Sequence, residues 1–190
     1  MRNPATFPSQ RGTSMIEVLV TIVILAFGLL GLVGLQSRLQ ISEMDAYQRA
    51  QGLILLEDMA SRIASNRNNA SSYVTANALG TGMTCPTTVS TTAERDLGEW
   101  CNALLGASEK TAGGTPTNVG AFIGGRGCVA SLGSGEYMVT VAWQGLTPIS
   151  APPASVVCGK DSYSSATGTP CANDVCRRVL TTIVRIATLT

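Results

Sequence analysis

Residues 11 to 35, RGTSMIEVLVTIVILAFGLLGLVGL, decide the architecture of this chain. From Met15 to Leu35 the run carries a single charge, Glu17. At ~1.5 Å rise per residue, such a run spans roughly the ~30 Å hydrocarbon core of a bilayer, so it reads as a transmembrane helix. A cleaved secretory signal has an apolar region of about 7 to 15 residues and then a small-x-small site. Here the run is longer and passes into Leu35-Gln36-Ser37 with no such site. Upstream, Met1 to Gly12 is polar and basic, with Arg2 and Arg11 and no apolar run.

Downstream, no helix breaker interrupts the pattern. Ala46, Ala50, Leu53, Leu56, Ala60 and Ile63 recur at spacings of three and four, a helical stripe, while Glu43, Asp45, Arg49, Glu57, Asp58 and Arg62 populate the other side. A helix from Thr13 to about Asn66 is therefore expected, roughly 80 Å long, ending where Asn68, Asn69, Ser71 and Ser72 begin a loop. Its first half is apolar all round and its second half on one side.

From about Arg67 to Gly120 the chain turns rich in Thr, Ser, Asn and Gly, with one short helix predicted from Thr92 to Leu105. Glu94, Asp96 and Glu99 load its first turns, where acids favour a helix dipole. The same three carboxylates are a candidate metal cluster, but a solvated helix face explains them equally well. Strand patterns follow over Ala121 to Leu132, Glu136 to Trp143 and Arg178 to about Leu189, with a Gly133-Ser134-Gly135 turn between the first two. In the last, Leu180, Thr182, Val184 and Ile186 share one face. One long helix followed by three or four antiparallel strands gives an α+β domain in which the sheet covers the helix stripe.

Composition excludes several functions. Only 13% of the 190 residues are charged and the net charge is +1, with no like-charge run longer than Arg177-Arg178. Nothing here competes for a phosphate backbone, so no nucleic acid partner is expected. The chain has no His, the commonest general base and metal nitrogen ligand. It also lacks G-x-S-x-G, P-loop and Rossmann patterns, and Gly124-Gly125-Arg126-Gly127 precedes a strand rather than a helix. No enzymatic activity and no cofactor are expected. Asn69-Ala70-Ser71 is a formal glycosylation sequon in an Asn- and Ser-rich loop and is read as an accident of composition.

All six cysteines, Cys85, Cys101, Cys128, Cys158, Cys171 and Cys176, follow the apolar run, and none forms a C-x-x-C pair. A disulfide framework is expected in preference to a metal site. Six cysteines allow fifteen pairings. The expected set is Cys85 to Cys101 across the short helix, Cys158 to Cys171 within the Ser- and Gly-rich loop, and Cys128 to Cys176 between strands. Disulfides place the domain in an oxidising compartment, consistent with a basic segment left on the cytoplasmic side.

Glu17 needs a partner or an interface, because an acid in an apolar helix costs about 2 to 3 kcal/mol or more. Lying near the start of the run, it can snorkel. The word around it suggests a more specific role. Arg11-Gly12 followed by Thr13-Ser14-Met15-Ile16-Glu17 and an unbroken apolar helix resembles the type IV prepilin leader and cleavage site, where a short basic leader ends in Gly and the acid stands fifth after it. The resemblance implies a leader over residues 1–12, an apolar membrane and fibre-core helix over 13–35, and a periplasmic pilin domain over 36–190. It implies cleavage between Gly12 and Thr13 by a prepilin peptidase, N-methylation of Thr13, and pairing of the Glu17 carboxylate with the new amine of a neighbouring subunit, which sets subunit register. Thr13 departs from the Phe or Met usual after the scissile bond. Many major pilins kink this helix with a Pro; this chain instead has Gly28, Gly31 and Gly34, which loosen the helix, admit close helix contact, or are ordinary transmembrane glycines.

Glu136 to Gly145 (EYMVTVAWQG) and Cys176-Arg177-Arg178 before the last strand also resemble minor pilins of the PilV type. That resemblance implies a subunit inserted in the bacterial inner membrane and then in the pilus. Its partners would be other minor pilins, the major pilin, the inner-membrane assembly platform and a tip adhesin. Attachment and twitching motility would follow from that place. A minor pseudopilin of a type II secretion system shares the leader and long helix; such subunits often bind calcium, for which the only acids here are near Asp161 and Asp174, too few for a six-oxygen site. A single-span envelope protein with an uncleaved anchor and an enzymatic or ligand-binding domain is the remaining alternative.

Overall fold

The computed structural model describes residues 14–107, 109–112, 118–120, 123–165, 168 and 170–187. In chain order these form helix α1 (Met15–Ser65), a short 3-10 helix (Arg67–Tyr73), strand β1 (Leu79–Gly80), helix α2 (Thr92–Leu104), strands β2 (Arg126–Gly133) and β3 (Glu136–Gln144), a second 3-10 turn (Ala172–Asp174) and strand β4 (Arg177–Arg185). The chain divides into two compact units, residues 1–43 and 44–190.

In the second unit the four strands form one antiparallel sheet in the order β1-β2-β3-β4. Gly133 (φ 87°), Ser134 (φ 51°) and Gly135 (φ 77°) make the β2–β3 turn expected from the sequence, a conformation for which glycine carries no Cβ penalty. The part of α1 within this unit packs on the sheet: Leu55, Leu56, Met59 and Ile63 share one core with Val129, Val139, Val141, Trp143, Trp100 and Leu104. The architecture is thus α+β and pilin-like, as expected.

Alternation along β3 and β4 sorts the side chains as anticipated. Val139, Val141 and Trp143 enter the main core, with Leu180, Val184 and Ile186 packed against its rim. The opposite face is also covered: Ala142 packs with Cys158 and Tyr163 in a second cluster, so Thr140 and Ala142 are buried although they point away from α1.

The helix stripe requires correction. Ala46, Ala50 and Leu53 are exposed, and the buried row is Gln48, Gly52, Leu55, Leu56, Met59 and Ile63. Gly52 explains the shift, since a Cβ there would lie 3.0 Å from the Trp143 ring and 3.2 Å from Leu180. The sheet seats where the helix is thinnest. Gly127 is a second close approach, its absent side chain occupied by the Trp100 ring and Leu104.

Helix α2 begins with a complete capping box: the Glu94 amide donates to Thr91 Oγ1 and the Thr91 amide to the Glu94 carboxylate. Such a cap is worth about 1 kcal/mol. Strand β2 begins at Arg126 rather than Ala121, and residues 121 and 122 lie outside the described set. Strand β4 runs from Arg177 to Arg185, shorter than anticipated at its far end.

The disulfide pairing also requires correction. Cys85 joins Cys101, as expected, but Cys128 joins Cys158 and Cys171 joins Cys176. The physical reason is topological. The segment carrying Cys158 folds back over the sheet face onto which Cys128 points, bringing Cys158 Sγ to 3.9 Å from the Thr140 carbonyl. Cys171 and Cys176 then close a tight loop around the 3-10 turn immediately before β4.

Candidate assembly segment and its pilin-like domain

In the first unit, α1 starts where the Ser14 carbonyl accepts from the amides of Glu17 (3.0 Å) and Val18 (3.3 Å). Glu17 thus stands in the first helical turn, where the helix dipole favours a carboxylate. It is exposed and, among the described residues, forms no hydrogen bond or ion pair. Gly12 and Thr13, the expected cleavage and methylation positions, lie outside the described residues, as does the rest of the leader.

Beyond Glu17 every apolar side chain to Leu35 faces outward; Leu19, Leu25, Phe27 and Leu30 are all more than 60% exposed. An apolar surface of this extent requires a lipid or protein environment beyond the chain itself. By length and composition α1 can cross a membrane, with a window of mean hydropathy 2.8 and none of it buried. Among the described residues a Cβ at Gly28, Gly31 or Gly34 would meet nothing within 4 Å, which leaves room for a neighbour's close approach.

In the second unit, the charged groups single out two devices that hold the domain together. Arg62, assigned from its spacing to a solvated face, instead bridges α1 to α2. Its guanidinium donates to Asp58 (3.0 Å), Asp96 (2.9 Å) and Glu99 (2.7 Å). Burial works against its charge, but the three carboxylates outweigh it and its pKa is raised. Tyr73 donates its hydroxyl to the other oxygen of Asp96, and burial followed by the Asp96 carboxylate pushes its phenol up to about 12. The candidate metal cluster is thereby accounted for: Glu94 caps α2, Asp96 holds Arg62 and Tyr73, and Glu99 holds Arg62.

The second device is Arg177, 2% exposed. It donates to Asp174 Oδ2 (2.5 Å) and to the carbonyls of Val156 (2.7 Å) and Cys158 (3.0 Å). A buried charge is tolerated when its hydrogen bonds are met in this way. It ties the loop carrying Cys158 to the start of β4. Asp174, one of the two acids considered for calcium, is committed to this pair, and among the described residues no group of three acids, cysteines or histidines is arranged to hold a metal. The sequence signal for the Arg177 cage is the Arg177-Arg178 pair at the head of a strand that is uncharged from Val179 to Val184.

The comparison with known families finds the prokaryotic N-terminal methylation motif over residues 8–33. No curated protein and no solved structure matches the chain. The motif is that of a type IV pilin-like prepilin signal and supports a type IV pilin or a pseudopilin. It implies processing by a prepilin peptidase and use by pilus assembly machinery, and with the exposed apolar helix it suggests membrane anchoring.

Proposed function

We propose that this chain is a minor pilin that primes type IV pilus assembly from the bacterial inner membrane, joins other minor pilins in a complex at the pilus tip, and supports display of a tip adhesin. Its work is assembly rather than catalysis. Cleavage after Gly12 and methylation of Thr13 mature the subunit; Glu17 sets register against a neighbour's amine; Val18 to Leu35 enter the fibre core; and the disulfide-bonded domain, facing the periplasm before assembly, supplies lateral surfaces.

The observation that carries this reading is a carboxylate in the first turn of a helix whose apolar run to Leu35 is exposed throughout, directly after a basic leader ending in Gly. An assembly of such helices covers the apolar surface and brings a neighbour's amine to the Glu17 carboxylate. Two features favour a pilus subunit over a secretion pseudopilin: three disulfides hold the domain, and Asp174 is engaged by Arg177. The test is deletion of the gene and complementation at native level. Loss of surface fibres and of twitching, restored by the intact chain, is expected. Normal fibres with failed protein secretion would transfer the subunit to a pseudopilus.

A further inference from the structure

In the second unit a cleft of about 490 Å³ lies between α1, the head of β4 and the loop that follows β3, a volume within the range of small-molecule sites. Trp143, Ile149, Pro152 and Leu180 give it an apolar wall, and four charged residues line it: Asp45, Arg49, Arg177 and Arg178. Arg177 is committed to Asp174 and two carbonyls. The other three are not paired with one another. Asp45 and Arg49 stand four residues apart on α1, the spacing of a helical ion pair, yet no ion pair joins them. Among the described residues neither Arg49 nor Arg178 has a carboxylate within 4.0 Å.

Arg178 is fixed in position. Its guanidinium lies against Gly145, where a Cβ would come within 2.5 Å of Cζ, and it donates to the carbonyls of Val175 (3.3 Å) and Thr147 (2.5 Å). Burial lowers its pKa, and the more distant Asp45 restores it only in part, so this cation is short of negative charge. The three charges choose an occupant by elimination. An apolar molecule would cover Asp45 and Arg178 and leave both unpaired in a drier site. A simple anion suits Arg49 and Arg178 but is repelled by Asp45, and a simple cation suits Asp45 but is repelled by both arginines. A molecule carrying both signs answers all three. A second copy fits poorly, because an isologous contact sets the same concave surface on itself and leaves both clefts unfilled.

We propose that this cleft binds a small zwitterion, an α-amino acid with a large apolar side chain. Its ammonium faces Asp45, its carboxylate lies between Arg49 and Arg178, and its side chain rests on Trp143, Ile149 and Pro152. Two guanidinium groups suit a carboxylate because their N–H forks match its two oxygens. The apolar wall accounts for the rest of the volume and gives a preference for bulky side chains. The inference rests on the second unit alone and holds or fails independently of the pilin reading.

Calorimetric titration of the full-length protein in detergent micelles with L-phenylalanine tests the proposal. Saturable binding with a Kd of about 1 mM or tighter is expected. N-acetyl-L-phenylalanine, which lacks the ammonium, and L-phenylalaninamide, which lacks the carboxylate, should each bind about tenfold or more weakly, since each leaves a charge of the site unanswered. Asp45→Asn should weaken L-phenylalanine about tenfold and strengthen N-acetyl-L-phenylalanine, whose carboxylate is then no longer repelled. Arg49→Gln should weaken L-phenylalanine and strengthen L-phenylalaninamide. A merely structural role for either residue would not exchange these preferences. Among the described residues neither side chain makes a bond that holds the domain, so both variants should fold. Absence of saturable binding would overturn the proposal, as would equal affinity for the three compounds or preferences unchanged in the variants. Self-association abolished by Asp45→Asn would do so too, by making a second copy the occupant.

Discussion

Arg62 on α1 reaches Asp96 on α2 at 2.9 Å, bridging two helices that are separated in sequence by the Arg67–Tyr73 3-10 helix and strand β1. Asp96 simultaneously accepts from Tyr73 and is mostly shielded from solvent. Arg62→Ala should therefore destabilise the domain by about 1 to 3 kcal/mol, more than an exposed pair would. Denaturant unfolding of the detergent-solubilised protein measures it, and a double-mutant cycle with Asp96→Ala should show coupling of about 1 kcal/mol. Additive losses would mean the bridge does not hold the helices.

Tyr73 gives a pH dependence with a definite sign. Its folded pKa is raised, to about 12, chiefly by burial and then by Asp96, so the neutral phenol stabilises the fold. That contribution is whole below the ordinary tyrosine pKa near 10 and disappears as pH rises through the folded value. Stability should fall between about pH 10 and 12, and Tyr73→Phe should reduce that component. Ultraviolet titration of the phenolate, compared between the two proteins, is the measurement.

The disulfides should differ in worth. Cys128 to Cys158 closes 30 residues and Cys171 to Cys176 closes 5. By chain entropy, replacing the first pair with serines costs about 3.5 kcal/mol and the second about 2. Non-reducing peptide mapping should recover the three observed pairs. A Cys128 to Cys176 peptide would contradict the fold of the loop before β4.

Glu17→Ala should leave leader cleavage largely intact and impair incorporation into fibres, because among the described residues the carboxylate has no partner. Quantifying the variant in sheared fibres and in membranes at native expression tests this. Normal incorporation would remove the charge-pairing role.

Helix, strands and their inward faces were legible because period and the acids of a first helical turn are local signals: Glu94 and Asp96 mark the start of α2, and Val139, Val141 and Trp143 alternate into the core. The phase of the α1 stripe was not, because Gln48 and Gly52 are buried without being apolar, and only the Trp143 ring opposite makes a glycine the contact point. Of the three disulfides, one was legible. Cys85 and Cys101 are brought together by one helix, whereas the partner of Cys128 depends on how the loop bearing Cys158 folds over the sheet. Arg62 was read as a surface charge because its partners Asp96 and Glu99 lie more than 30 residues away. For the assembly segment, the spacing of Gly12, Thr13 and Glu17 and the apolar run carried the whole signal, and the methylation motif found over residues 8–33 coincides with it.

The central claim is that this chain matures at Thr13 and resides in a pilus. Mass spectrometry of fibres sheared from cells expressing it at native level tests that most directly. The expected result is a mature amino-terminal peptide beginning at N-methylated Thr13. Fibres that contain only other subunits, with Met1 still attached to this chain in the membrane, would contradict the account.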